Sequence, residues 1–326
     1  MNRGILIIFL VSFFIFGGGK ALAISPSVGV SVTPESVSPG DLVTIELESF
    51  STDLNRAEIV WVVDGIILLQ GVGQKEYSLS AKGLGEQTKV EITINTTNGI
   101  PVLKTVFINP QSIDLLWEAI DSYTPPFYKG KALPSRGALI KTSVLPFLKG
   151  SRGTFSNPNS LVYNWEQNYK PYPSVSGYGK SFYVFRNTFL QKEELLKVKV
   201  STVDGTLTAS NSVNLSFFNP EILFYEKKPA IGVLFNESKN QGLTLTENET
   251  SLLGVPYFSS TKTKVGVLDG TLSLTWKIND SFVSSDRPDV LTVRKPEGES
   301  GYSIINFEVE SPYLYQNKEE SLRVSF

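Results

Sequence analysis

Val43, Ile45 and Leu47 alternate with Thr44, Glu46 and Glu48, the period of two that sets one strand face on a core and the other in water. The same alternation returns in KVEITIN (89–95), with Val90, Ile92 and Ile94 on one side. Between them, EIVWVVDGIILLQ (58–70) is two apolar runs joined by Asp64-Gly65. That pair signals a hairpin, because a type I′ turn needs positive φ at both central residues. Pro34, Pro39 and Gly40 interrupt an edge strand ahead of this set, and a turn around Asn98-Gly99 leads into VLKTVFI (102–108). Seven or so short strands within a hundred residues, with turns between them, predict a β-sandwich.

The pattern repeats. Trp61 lies in EIVWVVDG, Trp165 in LVYNWEQN and Trp276 in SLTWKIND, at intervals of 104 and 111 residues. FINP, ending at Pro110, and FFNP, ending at Pro220, are each followed by an apolar-aromatic run that closes on a carboxylate, DLLWE (114–118) and ILFYE (222–226). Two independent markers sharing one period imply three tandem modules, 24–110, 111–220 and 221–326. In the second, LLKVKVSTVDGTLTASNSVNLSF reads as strand, Asp204-Gly205 turn, strand; in the third, YSIINFEVESPYLYQNKEESLRVSF reads as two strands with a turn near Gln316-Asn317.

GVGQKEY (71–77) is echoed by GYGKSFY (177–183). A nucleotide loop needs such glycines between a strand and a helix, and no helical period follows either copy. Gly71 and Gly73, like Gly177 and Gly179, instead suit a corner where the chain crosses between sheets. Tyr77 and Tyr183 then point into the sandwich, and Trp61, Trp165 and Trp276 are expected at the middle of buried strands.

One stretch resists this frame. In 110–137, Ile113, Leu116, Trp117 and Ile120 have helical spacing, with Ser112 as a possible N-cap. Its repeat counterpart PEILFYEKKP (220–229) is too short and aromatic for a helix. The expectation is therefore an extended connector that becomes the first strand of the second module, stiffened by Pro125, Pro126 and Pro134 and placed to pack across the junction.

Composition narrows the classes. Arg3, the apolar run Gly4 to Phe16 and Ala21-Leu22-Ala23 read as a cleaved secretory signal over 1–23, too short in its apolar part for a membrane span. Taking Arg3 and Lys20 from the 30 basic residues leaves 28 against 32 acidic ones, a net charge of −4. A weakly acidic chain without a basic cluster is not expected to bind nucleic acid. The 326 residues hold no Cys, so stability rests on core burial without disulfides, as in a bacterial export product. Five Asn-x-Ser/Thr sequons, at Asn95, Asn214, Asn236, Asn248 and Asn279, are expected by chance in a chain rich in those residues.

The chain also lacks His, which removes Ser-His-Asp and Cys-His catalysis and His/Cys metal sites. Carboxylate chemistry survives in principle: Glu118, Asp121 and Glu166 lie near aromatics, and two carboxylates suffice for glycoside hydrolysis. Scattered solvated carboxylates are the stronger reading. NDSFVSSDRPD (279–289) is the nearest oxygen-only calcium candidate, but it lacks an alternating Asp pattern and reads as a solvated loop. No cofactor is implied. Surplus aromatics in 121–128, 168–178 and 312–315 nominate Tyr123, Phe127, Tyr128, Tyr169 and Tyr172 as a ligand platform, against the competing reading of packing between modules.

A strand with VWVVDG, a following GVG corner and the opening P-x4-PGD-x-V-x-I (Pro34 to Ile45) resembles the immunoglobulin-like and PKD-like tandem modules of exported bacterial surface proteins. Trp61, Asp64 and Gly65 match the Trp and Asp-Gly turn of the PKD type. Trp165, followed by Glu-Gln-Asn, and Trp276, followed by Lys-Ile-Asn-Asp, depart from it. The resemblance implies an all-β fold of tandem sandwiches after a signal peptide, a role in adhesion, surface display or appendages, and no catalytic residues. The expected function is a non-enzymatic secreted or cell-surface element whose partners are envelope or appendage proteins or surface glycans, with membrane contact only through an uncleaved N-terminal segment. The alternatives are a carbohydrate-binding accessory protein of a polysaccharide-degrading system and a two-carboxylate glycosidase.

Overall fold

The alternating stretches are strands in the structure, a computed structural model that describes residues 27–97, 99–150, 152–187, 190–261, 272–298, 300–311 and 316–326. The signal-like segment 1–23 and the aromatics of 312–315 lie outside the described residues. The contacts group the chain into two compact units. One takes in the described residues up to Thr33 together with Thr44–Leu79 and Lys89–Phe107; the other takes in Pro34–Val43, Ser80–Thr88 and Ile108–Phe326.

Most of the first unit is β1 (Gly29–Thr33), β2 (Leu42–Glu48), β3 (Glu58–Val63), β4 (Ile66–Val72), β5 (Glu76–Ser80), β6 (Thr88–Asn95) and β7 (Pro101–Ile108). They form two sheets, β1-β2-β5 and β4-β3-β6-β7. Trp61 on one sheet meets Tyr77 on the other at 5.7 Å between ring centroids. Ile45, Leu47, Ile59, Ile92 and Ile94 fill the space around them, as the alternation requires.

The second unit holds two more pairs of sheets. Its first part has β8 (Ser112–Ala119), β9 (Leu139–Phe147), β10 (Val162–Gln167), β11 (Lys170–Pro171), β12 (Gly177–Tyr178), β13 (Phe182–Arg186), β14 (Glu193–Ser201) and β15 (Thr208–Ser216). These make the sheets β13-β9-β8 and β11-β10-β14-β15, with β12 also paired to β10. The second part has β16 (Glu221–Lys228), β17 (Gly232–Val233), β18 (Leu243–Thr244), β19 (Glu249–Tyr257), β20 (Ser273–Ile278), β21 (Ser281–Val283), β22 (Val290–Arg294), β23 (Tyr302–Ser311) and β24 (Gln316–Ser325). Here the sheets are β17-β16-β19-β22 and β18-β24-β23-β20-β21. One sequence expectation is corrected. Gln316 and Asn317 already belong to β24, opposite Ser311 and Glu310, and are not turn residues. Both of these sandwiches lie in the second unit. The segment 112–119 is extended rather than helical and pairs along its whole length with β9.

A common register underlies all three sandwiches. Three residues beyond each tryptophan stands an Asx residue with positive φ: Asp64 (49°), Asn168 (50°) and Asn279 (47°). Each opens a two-residue hairpin, completed by Gly65 (86°), Tyr169 (63°) and Asp280 (64°). Each Asx carboxyl or amide oxygen accepts an N–H from the neighbouring strand at 2.9 Å, from Lys89, Leu195 and Ile304 respectively. Their own N–H groups donate to the carbonyls of those same residues at 2.9, 2.8 and 2.8 Å. The departures at Trp165 and Trp276 are thus departures of sequence only: Asn replaces Asp, and the turn persists.

Each indole is fixed the same way. Trp61, Trp165 and Trp276 donate Nε1–H at 2.9 Å to the carbonyls of Gln74, Lys180 and Pro288. Three residues past these acceptors come Tyr77, Tyr183 and Leu291. Trp165 and Tyr183 lie 5.8 Å apart across their sheets, and burial, with Tyr172 and Glu194 nearby, pushes the Tyr183 phenol up to about 12. Gly73 (φ 74°) and Gly179 (φ 69°) donate their N–H to Ala57 O and Leu161 O, turning the chain from one sheet toward the other. A side chain at Gly73 would also meet the Asn55 carbonyl at 3.0 Å.

Removing one Asx side chain leaves a strand N–H without its acceptor and places an unassisted residue in the left-handed region. Asn279→Ala is expected to cost about 1–3 kcal/mol. Asp280→Gly, in the same turn, is expected to stabilise by up to ~1 kcal/mol. Urea unfolding of the two variants checks both signs.

Candidate functional site

Between β8 and β9 the chain runs from Ile120 to Ala138 outside any strand. Pro125, Pro126 and Pro134 remove backbone donors and hold φ in the extended range, so this strap satisfies its remaining polar groups elsewhere. It does so on the segment that follows β19. Tyr123 N–H donates to Ser259 O (2.9 Å), Phe258 N–H to Tyr123 O (2.8 Å) and Thr261 N–H to Asp121 O (2.7 Å). At its other end, Phe218 N–H donates to Pro134 O at 2.9 Å. Phe258 takes φ 63° to reach this pairing.

A buried polar cluster completes the joint. Gln316 Oε1 accepts Ser260 N–H at 2.8 Å, and Gln316 Nε2 donates to Arg136 O at 2.6 Å and to Ser260 Oγ at 3.1 Å. The hydroxyls of Ser135 and Ser260 are 3.1 Å apart, and Ser122 donates to Leu133 O at 2.9 Å. Asn187 Nδ2 donates to Ser135 O at 3.2 Å. Asp121 is nearly sealed from solvent; its carboxylate accepts Leu139 N–H at 2.8 Å and pairs with Arg186 Nη1 at 3.1 Å. Burial raises its pKa, against the opposing pull of that N–H and of Arg186. Residues from both sandwiches of the second unit therefore satisfy one another, where an unmatched group would cost about 1–3 kcal/mol.

Beside the cluster lies an apolar face. Leu253, Val255 and Tyr257 of β19 point away from the sandwich core into a layer with Tyr225, Val290, Tyr123, Leu133 and Phe258, while Leu252 points inward. Both faces of β19 are covered, which is why SLLGVPY reads as an unbroken apolar run rather than an alternating one. Gly254 sits so close to the inner core that a Cβ there would lie 2.6 Å from the Phe307 ring. Tyr128 contacts Tyr257 and Phe258 edge-on at 5.8 and 6.0 Å. The phenols of Tyr225 and Tyr257 share a hydrogen bond at 2.9 Å, and burial together with that bond raises the pKa of Tyr257. Farther along the strap, the Lys131 ammonium stands 3.2 Å over the centre of the Trp117 ring.

The nominated platform residues scatter. Tyr123 is buried in the strap layer and Tyr128 packs there on Tyr257, so these two are joint residues with no shared exposed face. Phe127 stands at the strap's turn, 93% exposed with φ 67°. Tyr169 and Tyr172 lie far along the chain at the β10–β11 hairpin. The three candidate carboxylates are not assembled either. Glu118 is an exposed residue of β8 paired with Lys141 at 3.9 Å, Asp121 is committed to the joint, and Glu166 is on β10 of the other sheet. Among the described residues, no group of three or more His, Cys, Asp or Glu side chains is placed to hold a metal ion. The residues missed from sequence are Ser135, Asn187, Ser260, Thr261 and Gln316. They read as ordinary loop and strand-edge polars, and the one available signal was the double-sided apolar run of β19 just before them.

No protein-family model and no curated protein matches the chain. Solved structures do. The central fibronectin-III array of RIM-binding protein is 13% identical over 92% of this chain and 97% of that one, with a TM-score of 0.29. The fibronectin(III)-like modules of Clostridium thermocellum CbhA are 8% identical over 58% and 94%, with a TM-score of 0.27. Bacteroides ovatus SGBP-B, solved in complex with a mixed-linkage heptasaccharide, is 12% identical over 91% and 70%, with a TM-score of 0.22. The first two are fibronectin-III modules, and TM-scores this low carry no argument about ligand or activity.

Because Asp121 has a raised pKa in the fold, its contribution is fully present below the unfolded carboxyl value near ~4 and is lost as pH rises through the folded value. Asp121→Asn removes this titration. The stability of the parent minus that of Asp121→Asn is expected to fall as the pH rises above the unfolded carboxyl value, read by thermal unfolding across a pH series; a flat difference would contradict a raised pKa.

Proposed function

We propose that this chain is a non-enzymatic, exported structural or adhesive element that presents stiff immunoglobulin-like modules at a bacterial cell surface or on a surface appendage. The strap joint is the observation that carries this reading. Two sandwiches connected only by Phe217-Phe218-Asn219-Pro220 would swing freely, yet backbone pairing, a buried polar cluster and a tyrosine layer tie them together. Inter-domain contacts in flexible chains are usually small and wet, so a desolvated, hydrogen-bonded joint supports a part whose task is geometric. The N-terminal apolar segment and the absence of Cys support export, with a mature chain beginning near Ile24. Envelope proteins or surface glycans are the partners in this reading.

Fractionating the producing cells and finding the mature N-terminus by mass spectrometry tests the location: a cytoplasmic chain with residues 1–23 intact would overturn it. Stiffness has its own test, made clean by the lack of Cys. Spin labels at Ser174→Cys and Asn317→Cys, both exposed, are expected to give one narrow distance distribution. Adding Ser260→Ala and Gln316→Ala is expected to broaden it and to destabilise the unit by about 2–4 kcal/mol.

A further inference from the structure

We infer that the β11–β12 edge of β10 is a contact site for an extended, neutral polysaccharide. The internal repeat provides the control. Asn168-Tyr169 is the same two-residue turn as Asp64-Gly65, and its second position favours glycine because φ is positive. The fold therefore gains nothing locally from a tyrosine there. Among the described residues, the Tyr169 ring has no ring partner and no side-chain hydrogen bond, and it stands 82% exposed. Strain spent on an exposed aromatic points to a use outside the fold.

One further exposed tyrosine lies on the same edge. Tyr178 stands opposite Val162 and is 63% exposed, whereas Tyr172, whose N–H donates to Trp165 O at 2.9 Å, is half-buried with its ring 5.9 Å from that of Tyr183 and takes no part in the surface. Tyr169 itself follows Asn168. The two exposed tyrosines are thus anchored six residues apart along β10, roughly 20 Å at a strand rise of about 3.3 Å per residue. An extended β-linked glycan reaches across that interval and offers a pyranose face to each. The C–H face of a pyranose stacks on an aromatic ring, while its hydroxyls need donors and acceptors, which Asn168, Gln191 and Lys170 supply at the tip. Charges of both signs, Lys170, Lys180 and Glu166, border the edge, which fits a neutral chain better than a polyanion.

A peptide added as an extra strand fits poorly. The ladder of β10 on this side is already occupied: β11 pairs with Glu166 and Gln167, β12 with Val162 and Tyr163, and Trp165 N–H donates to Ser176 Oγ at 2.9 Å. Side chains are left to make the contact, and backbone is not.

The inference deepens the adhesive reading by naming its ligand, and it can fail alone. The full mature chain is run in native gels containing hydroxyethylcellulose, mixed-linkage β-glucan, xylan or glycol chitin. Retardation by at least one is expected. Tyr169→Gly and Tyr178→Ala are each expected to weaken it about fivefold or more, and Tyr302→Ala, an exposed tyrosine of another sandwich, to leave it unchanged. Tyr169→Gly is also expected to raise the urea midpoint, which separates lost contact from lost fold. Mobility unaffected by every polysaccharide overturns the inference, as does retardation that survives both substitutions. A Tyr169→Gly protein no more stable than its parent removes the premise of strain and overturns it as well. None of these results bears on export or on stiffness of the joint, whose failure the spin-label distances and the mature N-terminus report separately.

Discussion

The pairing of Asp121–Tyr123 with Phe258–Thr261 is the constraint on which the second unit depends. Proline in the strap and positive φ at Phe258 leave both segments unable to continue a regular strand, so their backbone groups have to find each other. Once they do, Asp121, Ser260 and Gln316 are carried out of water; Ser260 and Gln316 take partners from the opposite sandwich, Ser135 and Arg136, while the Asp121 carboxylate is met by Leu139 and Arg186 of its own. The tyrosine layer follows from the same contact, because the strap is what covers the outer face of β19. A flat apolar face left bare on that strand would be a liability in water. Here it is consumed within the chain.

Within each sandwich a different rule governs. The indole is large enough to span two sheets, and its single donor has to be met at depth. Meeting it with a carbonyl from the chain that crosses between sheets sets where that crossing occurs, and the Asx turn three residues on sets where the strand ends. This is why tryptophan intervals measured on the sequence alone located the repeat, and why period-two alternation located the strands. Burial on one face is written into residue type. The turn chemistry was only partly legible, since Asp-Gly announces a type I′ turn whereas Asn-Tyr and Asn-Asp do not, although their side chains make the same bond.

The joint was nearly illegible. Serines, threonine and glutamine are buried there because they satisfy one another across more than a hundred residues of chain, as with Ser135 and Ser260, and no local pattern encodes that. Tyr123 and Tyr128 were visible as surplus aromatics, but composition does not separate a ring that packs on Tyr257 from one offered to a ligand. Only the overlong apolar run of β19 carried a trace of the second buried face. The start of β24 was misplaced for a related reason: Gln316 and Asn317 look like turn residues, yet Gln316 is drawn into β24 by the joint it serves.

Three sandwiches meeting one structural requirement also make an internal comparison that a single domain lacks. Where the fold demands something, the copies agree in physics even when they differ in residue, as with Asp or Asn at the turn and Gln, Lys or Pro supplying the carbonyl that meets the indole. Where they disagree without a structural reason, the difference belongs to something else. Glycine, tyrosine and aspartate occupy one turn position whose backbone is alike in all three, so the turn itself did not choose among them. A tyrosine kept there, exposed and against its own backbone preference, is the place where the chain departs furthest from what its own repeats show to be sufficient.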